Sequence, residues 1–170
     1  SRGQPQFQAQ LAWSSDMIKL WVAGKTQHFY NIAGAAAGPD DFHEVAGEVG
    51  GKVTLGPIGV LLNIEAGKGV GILQDGDEGD TMGVNYLAQV TYQLTQKLKL
   101  GANYGVSRNT SDPGATYGNF KSNNNWTAGG YYALTKNLTL VLELSRTWSK
   151  DYLGNSVHMN GIAAGGIVFF

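Results

Sequence analysis

The chain has no cysteine, only four prolines, few charged residues (15%) and a formal net charge of −1, and each shortage excludes something. Without cysteine there is no disulfide framework and no thiolate-ligated zinc. With charge near balance and no cluster of Lys and Arg, the electrostatic footprint of a nucleic-acid binder is missing, so no nucleic-acid partner is expected. No apolar run approaches the roughly 20 residues that a membrane-spanning helix needs. The chain opens on Ser1-Arg2-Gly3-Gln4 without a secretory leader, so it is read as mature, trimmed or partial.

Alternation is what the sequence has in abundance. In "EVAGEVGGKVTL", residues 44–55, Val45, Gly47, Val49, Gly51, Val53 and Leu55 share one face, and Glu44, Ala46, Glu48, Gly50, Lys52 and Thr54 share the other. That period of two marks a two-faced strand. Leu138, Leu140, Leu142 and Leu144 alternate with Thr139, Val141, Glu143 and Ser145 in the same way. The pattern predicts nine strands, at 7–14, 17–30, 43–56, 58–70, 82–94, 97–108, 123–134, 137–149 and 157–170, in one all-β domain spanning 1–170.

"YQLTQKLKL" at 92–100 returns as "YALTKNLTL" at 132–140, a period of about forty residues. Short turns at Ser15-Asp16, Gly56-Pro57, Thr95-Gln96 and Thr135-Lys136 alternate with long polar stretches at 31–42, 71–81, 109–122 and 150–156. One period is therefore one hairpin, and every strand is expected to pair with the next in an antiparallel up-and-down meander.

The polarity of the two faces decides the surroundings. One face carries Val, Leu, Ile, Ala, Gly, Tyr and Trp with almost no charge, whereas the other carries Gln, Thr, Ser, Asn, Gly, Glu and Lys. Small polar residues make a poor dry core but a good wet lumen, so the apolar face is expected outside, against lipid. Backbone groups in lipid must all be paired, which requires a closed barrel. Strands of about 12 residues tilted by about 45° rise roughly 28 Å, enough for an apolar band of about 25 Å. Trp13, Tyr92 and Tyr132 lie near the short turns, and Tyr86, Trp126 and Trp148 lie about ten residues away, as two aromatic belts at two interfaces would.

The chain ends "AAGGIVFF". With Ile162, Ala164, Val168 and Phe170 alternating up to a terminal aromatic, it resembles the Gram-negative outer-membrane β-barrels, general porins in particular; "VAGEVGGKVTLGPIGVLLNIEAG", 45–67, is similar to a porin hairpin. The resemblance implies a passive diffusion channel for small hydrophilic solutes and ions, integral to the bacterial outer membrane among its lipid and lipopolysaccharide. It also implies a C-terminal signal read by the barrel insertion machinery, a homotrimer and an inward-folded constriction loop, although no loop is plainly that one.

Bacterial single-chain barrels have even strand numbers, so nine strands leave two readings. In one, the chain is the C-terminal part of a larger barrel of about 16 strands. In the other, the first segment is no full span and the chain is a complete eight-stranded barrel with a structural or adhesive, non-conducting role. By alternation the lumen face includes Lys19, Lys25, Glu44, Glu48, Lys52, Asn63, Glu65, Gln89, Thr91, Gln93, Lys99, Asn103, Thr127, Tyr131, Thr139 and Glu143. Four lysines facing four glutamates predict weak selectivity in a wide pore, or structural ion pairs in a narrow filled one.

The remaining candidates carry less. Asp75, Asp77, Glu78 and Asp80 are only a weak Ca²⁺ candidate, since the closing glutamate of an EF-hand is absent, and a solvated loop is the expectation. Gly67-Lys68-Gly69 is too short to cradle a phosphate, and the glycosylation-type tripeptides at Asn109, Asn125 and Asn137 carry little meaning in a bacterial outer membrane. Three histidines, His28, His43 and His158, fall near loop ends, but nothing sets a nucleophile beside a base. Neither catalysis nor a cofactor is expected.

Overall fold

The computed structural model describes residues 5–30, 41–111 and 120–170. Nine strands run in chain order: β1 (Phe7–Ser14), β2 (Ile18–Tyr30), β3 (Asp41–Leu55), β4 (Ile58–Lys68), β5 (Met82–Gln93), β6 (Leu98–Asn109), β7 (Phe120–Ala133), β8 (Leu138–Asp151) and β9 (Ser156–Val168). They form a single antiparallel sheet in the order β1 to β9, each strand paired with its sequence neighbours. The short connections are sealed by backbone bonds such as Ser15 N to Ile18 O, 2.7 Å, and Leu94 N to Leu98 O, 2.9 Å. The meander, the turns and the nine strands are those expected from alternation.

Strand ends differ by up to three residues. β7 begins at Phe120 rather than 123, because Asn123, Asn124 and Asn125 put polar residues on both faces and hide the alternation. Pairing nevertheless runs on through Ser122↔Lys150 to Phe120↔Asp151, with an irregularity between Phe120 and Ser122. β9 stops at Val168 rather than 170. Its partner β8 starts at Leu138, so beyond Val168 only Asn137 is left to accept the Phe169 N–H, at 2.9 Å.

β1 and β9 are not paired to each other, and closure is not seen. After eight antiparallel steps the two edge strands run in the same direction. β1 is paired residue by residue with β2, from Phe7↔Thr26 to Ser14↔Lys19, and so covers the edge of β2 that an eight-stranded barrel would need for β9. The register puts Val22, Val49, Ile64, Tyr86, Ala88, Trp126, Leu142 and Leu144 on one face, where Val22, Val49 and Leu142 remain more than half exposed as large apolar side chains. An exposed apolar sheet face of this extent has no place in water.

Candidate functional site

The opposite face is polar. The pairing puts the sixteen strand residues expected in the lumen on this one face, linked by steps such as Lys19↔Lys52, Glu48↔Glu65, Glu65↔Asn85, Gln93↔Lys99 and Asn103↔Thr127. The fifteen-residue β3 supplies Glu44, Glu48 and Lys52, one every four residues, because side chains return to a face at every second position.

Across neighbouring strands two pairs of like charge stand opposite each other. Lys19 is directly opposite Lys52, and Glu48 is directly opposite Glu65. Like charges placed so are destabilising unless third parties intervene. For the glutamates the third parties are present: Glu48 Oε1 accepts from the Trp21 indole N–H at 2.7 Å, and Glu65 Oε1 lies 2.7 Å from Lys25 Nζ. The lysines Lys19, Lys52 and Lys99 sit within three residues of the short-turn strand ends, whereas Glu44, Glu65 and Lys25 lie toward the long loops. Along β2 the six residues from Lys19 to Lys25 separate these layers by roughly 20 Å.

Lys25 is the centre of the acidic layer. Its ammonium lies 3.1 Å from Glu44, 2.7 Å from Glu65 and 2.7 Å from Asp75. Three carboxylates on one ammonium leave an excess of negative charge. Glu44 has a fully buried side chain, and its Oε2 has no hydrogen-bond partner. A cavity of about 480 Å³ opens beside the cluster between Gln8 and Gln10 of β1, Lys25, Glu48 and Glu65.

Asp75 reaches Lys25 because the connection between β4 and β5, residues 69–81, is folded onto the polar face. Its ends are tied by Gly69 N to Thr81 O, 2.8 Å, and its crown by Gly76 N to Gly69 O, 2.8 Å. Asp77 holds the interior, accepting from the backbone N–H groups of Ile72, Leu73 and Gln74 at 2.9, 2.7 and 3.1 Å. Gly76 adopts φ 77°, and a Cβ there would lie 2.9 Å from the Phe29 ring, so both backbone and space require glycine. Phe29 stacks on Phe42 with ring centroids 5.0 Å apart, forming the platform beneath the crown. Farther along, Glu78 accepts from the Phe120 backbone at the start of β7, and burial together with the neighbouring Asp77 charge pushes its carboxyl up to about 7 against that bond. The loop is thus anchored to β2 at one point and β7 at another.

The carboxylates weighed as a calcium loop are committed elsewhere: Asp75 to Lys25, Asp77 to three amides, and Asp80 to Lys68 at 2.9 Å. Among the described residues no group of three or more His, Cys, Asp or Glu is arranged to hold a metal ion.

Trp21 had no role in the sequence reading, yet it shares the face of Lys19 and Lys25 and donates to both Glu48 and Asn63, the latter at 3.1 Å. Its parity within "IKLWVAGK" was the available signal. The ring lies over Gly50, where a Cβ would fall 2.2 Å from Trp21 Cζ2. Farther along the same polar face, Tyr131 donates to Glu143 at 2.5 Å across β7 and β8.

The aromatics Trp13, Tyr92 and Tyr132 lie on the apolar face toward the short turns, and Tyr86, Trp126 and Trp148 lie on it toward the long loops. Tyr104 joins the second group, 6.0 Å from the Trp148 ring. Ile162, Ala164 and Val168 continue the apolar face opposite Leu144, Leu142 and Leu138, while Phe170 lies beyond the strand and fully exposed. The His28 and His43 rings meet at a tilt of 37° with centroids 3.9 Å apart on the apolar face, which His158 shares through its pairing with Trp148, so none joins the Lys25 cluster.

Comparison with known proteins agrees with this geometry. No curated protein matches the chain. Among solved structures, the outer membrane channel DcaP of Acinetobacter baumannii shares the fold with a TM-score of 0.77 at 16% identity, over 97% of this chain and 51% of that one. The chain therefore spans about half the length of that channel. The Gram-negative porin family model matches residues 6–152, most of the length, and the chain belongs to the Gram-negative porin family.

Proposed function

We propose that this chain forms part of the wall of an outer-membrane channel through which small hydrophilic solutes and ions diffuse passively. The observation that carries the reading is the loop 69–81, which lies against the polar face and brings Asp75 to Lys25 instead of standing in solvent. A strap of that kind narrows a water-filled path and sets its local charge, which is the work of a channel and involves no bond chemistry. The apolar face then meets lipid, and the belts mark its two interfaces.

Two parallel edge strands cannot close on each other in an antiparallel barrel, so an odd number of further strands must lie between them; seven would give about 16. The single domain of residues 1–170 is then one portion of that barrel. Assembly as a homotrimer and insertion through the terminal signal at Ile162, Ala164, Val168 and Phe170 belong to the same reading.

Lys19, Lys25, Lys52 and Lys99 balance Glu44, Glu48, Glu65 and Glu143, and Asp75 tips the lining toward negative charge at the loop end. The expected selectivity is weak and favours cations. Reversal potentials across planar bilayers test this with the full-length protein. The double change Glu48→Gln and Glu65→Gln should shift preference toward anions, and raising the salt should shrink the shift as the Debye length falls from about 10 Å at 0.1 M to about 3 Å at 1 M. A protein that inserts but opens no conducting path would overturn the channel reading.

A further inference from the structure

Amide and hydroxyl side chains gather on the polar face beside the acidic layer, in two rows that cross β4–β8. One row passes from Glu65 through Asn85, Ser107 and Asn123 to Ser149. The next lies about 7 Å closer to the short turns and passes from Asn63 through Leu87, Gly105 and Asn125 to Thr147. Within a row the side chains stand about 5 Å apart, one per strand. A groove of about 300 Å³ runs among them, bordered by Asn63, Asn85, Ser107, Asn123 and Asn125. Gly105 leaves it open where a side chain would stand, and Leu87 gives it an apolar patch.

Neighbouring bonds orient these groups and leave some of their capacity unused. Asn63 Oδ1 accepts from the Trp21 indole at 3.1 Å, and Asn123 Oδ1 accepts from Ser149 Oγ at 2.9 Å, so both amide Nδ2 groups remain as donors without a partner among the described residues. Asn85 is the reverse case: its Nδ2 donates to Glu65 Oε2 at 3.3 Å, while its Oδ1 is enclosed and has no donor. An enclosed acceptor left so is costly, and it calls for a donor. Charge narrows the choice of ligand. Glu65 is the one carboxylate at the groove, and Lys25 already holds it at 2.7 Å; no cation borders the groove to receive an anion. What fits is a neutral molecule that both donates and accepts, as hydroxyl groups do, and that carries an apolar face for Leu87.

We propose that this groove binds an uncharged polyhydroxylated solute, a sugar ring in chemistry and size, on its way through the channel. One hydroxyl donates to Asn85 Oδ1, other hydroxyl oxygens accept from Asn63, Ser107 and Asn123, and the C–H face of the ring covers Leu87 and Gly105. The inference rests on the channel reading above and goes beyond it, since passive diffusion by itself needs no binding site. A site that binds weakly enough to release its solute favours one class of permeant without blocking the path.

The test titrates the full-length protein in planar bilayers with sucrose and with a polyethylene glycol of equal hydrodynamic size, whose ether oxygens accept but do not donate. Ion current, scaled to its value before addition, reads binding, and the unscaled conductance reads the channel itself. Sucrose should block the current saturably, and the glycol should not. The double variant Asn85→Leu and Asn123→Leu should raise the half-blocking concentration of sucrose at least about tenfold, as the loss of two hydrogen bonds of ordinary net strength implies. Lys97→Gln with Lys136→Gln, in the short turns, should leave it where it was. Conducting channels that sucrose does not block, or that the glycol blocks equally, overturn the sugar site alone, as does an unchanged half-blocking concentration in the double variant. Absence of channels overturns it together with the channel reading. Tighter block by protonated glucosamine than by glucose would assign the groove to cations through Glu65 and overturn the proposal as well.

Discussion

The polar face is built in two ways. Over β2–β4 it is crowded and ionic: Lys25 gathers three carboxylates, Trp21 bridges Glu48 and Asn63, and the loop 69–81 lies on top. Over β6–β9 it is low and sparsely charged, with Gly101, Gly129, Gly161 and Gly165 between Asn103, Thr127, Ser145 and Thr147, and among the described residues its one charged contact is Tyr131 to Glu143. The difference teaches that one sheet can carry a docking wall and an open wall without changing its backbone. The docking wall needs side chains that reach upward to hold a loop, and the open wall needs side chains that leave room.

The largest contrast should come from removing the ammonium at the centre of the docking wall. Lys25→Met leaves the buried Glu44 without a counter-charge beside Glu65 and Asp75, a loss of roughly 3–5 kcal/mol for a broken buried pair. Lys99→Met, in the open half, should stay within about 0.5 kcal/mol, as exposed changes do. Urea unfolding of the refolded protein measures both, and equal midpoints for the two variants would erase the distinction between the walls.

Glycine should separate the halves by a smaller margin. Gly50→Ala drives a methyl into the Trp21 ring, where a Cβ would lie 2.2 Å from Cζ2, and overpacking of this kind costs roughly 1–3 kcal/mol. Gly165→Ala meets nothing within 4 Å and should be near neutral. Thermal unfolding of the pair, with near-ultraviolet circular dichroism to follow the indole, checks the prediction; a neutral Gly50→Ala would show that Trp21 is free to move aside.

The smallest effect concerns pH and belongs to the strap alone. Burial raises the Glu78 carboxyl from 4.5 to about 7, so the docked loop binds a proton that the released loop gives up. Docking is then favoured at low pH, weakens as pH rises from about 4.5 to about 7, and is constant above that. Hydrogen exchange at the amides of Ile72, Leu73 and Gln74, which Asp77 accepts, follows the change, and Glu78→Gln should remove it. Exchange that slowed with rising pH after correction for the intrinsic rate would contradict the sign.

Much of this was legible in the chain because strand chemistry is local. The alternation that separates Leu140 and Leu142 from Thr139 and Glu143, the forty-residue echo and the short turns determine the meander and the face of nearly every strand residue. Where the alternation is blurred, as at Asn123–Asn125, the strand start was misplaced. Trp21 was legible by parity and passed over because belts draw attention to aromatics on the other face.

Three things were decided only by the tertiary structure, each through contacts distant in sequence. Register set Lys19 against Lys52 and Glu48 against Glu65 and brought Lys25 between Glu44 and Glu65; alternation fixes which face a residue takes but not which residue stands across from it. The inward fold of residues 69–81 depends on Lys25, fifty positions from Asp75, and on the Phe29–Phe42 platform. The groove of Asn63, Asn85 and Asn123 exists only because three strands bring together residues from separate hairpins. Sequence determined the faces, because side-chain direction in a strand has a period of two; pairing determined the sites, because neighbours across a sheet are chosen by the whole fold.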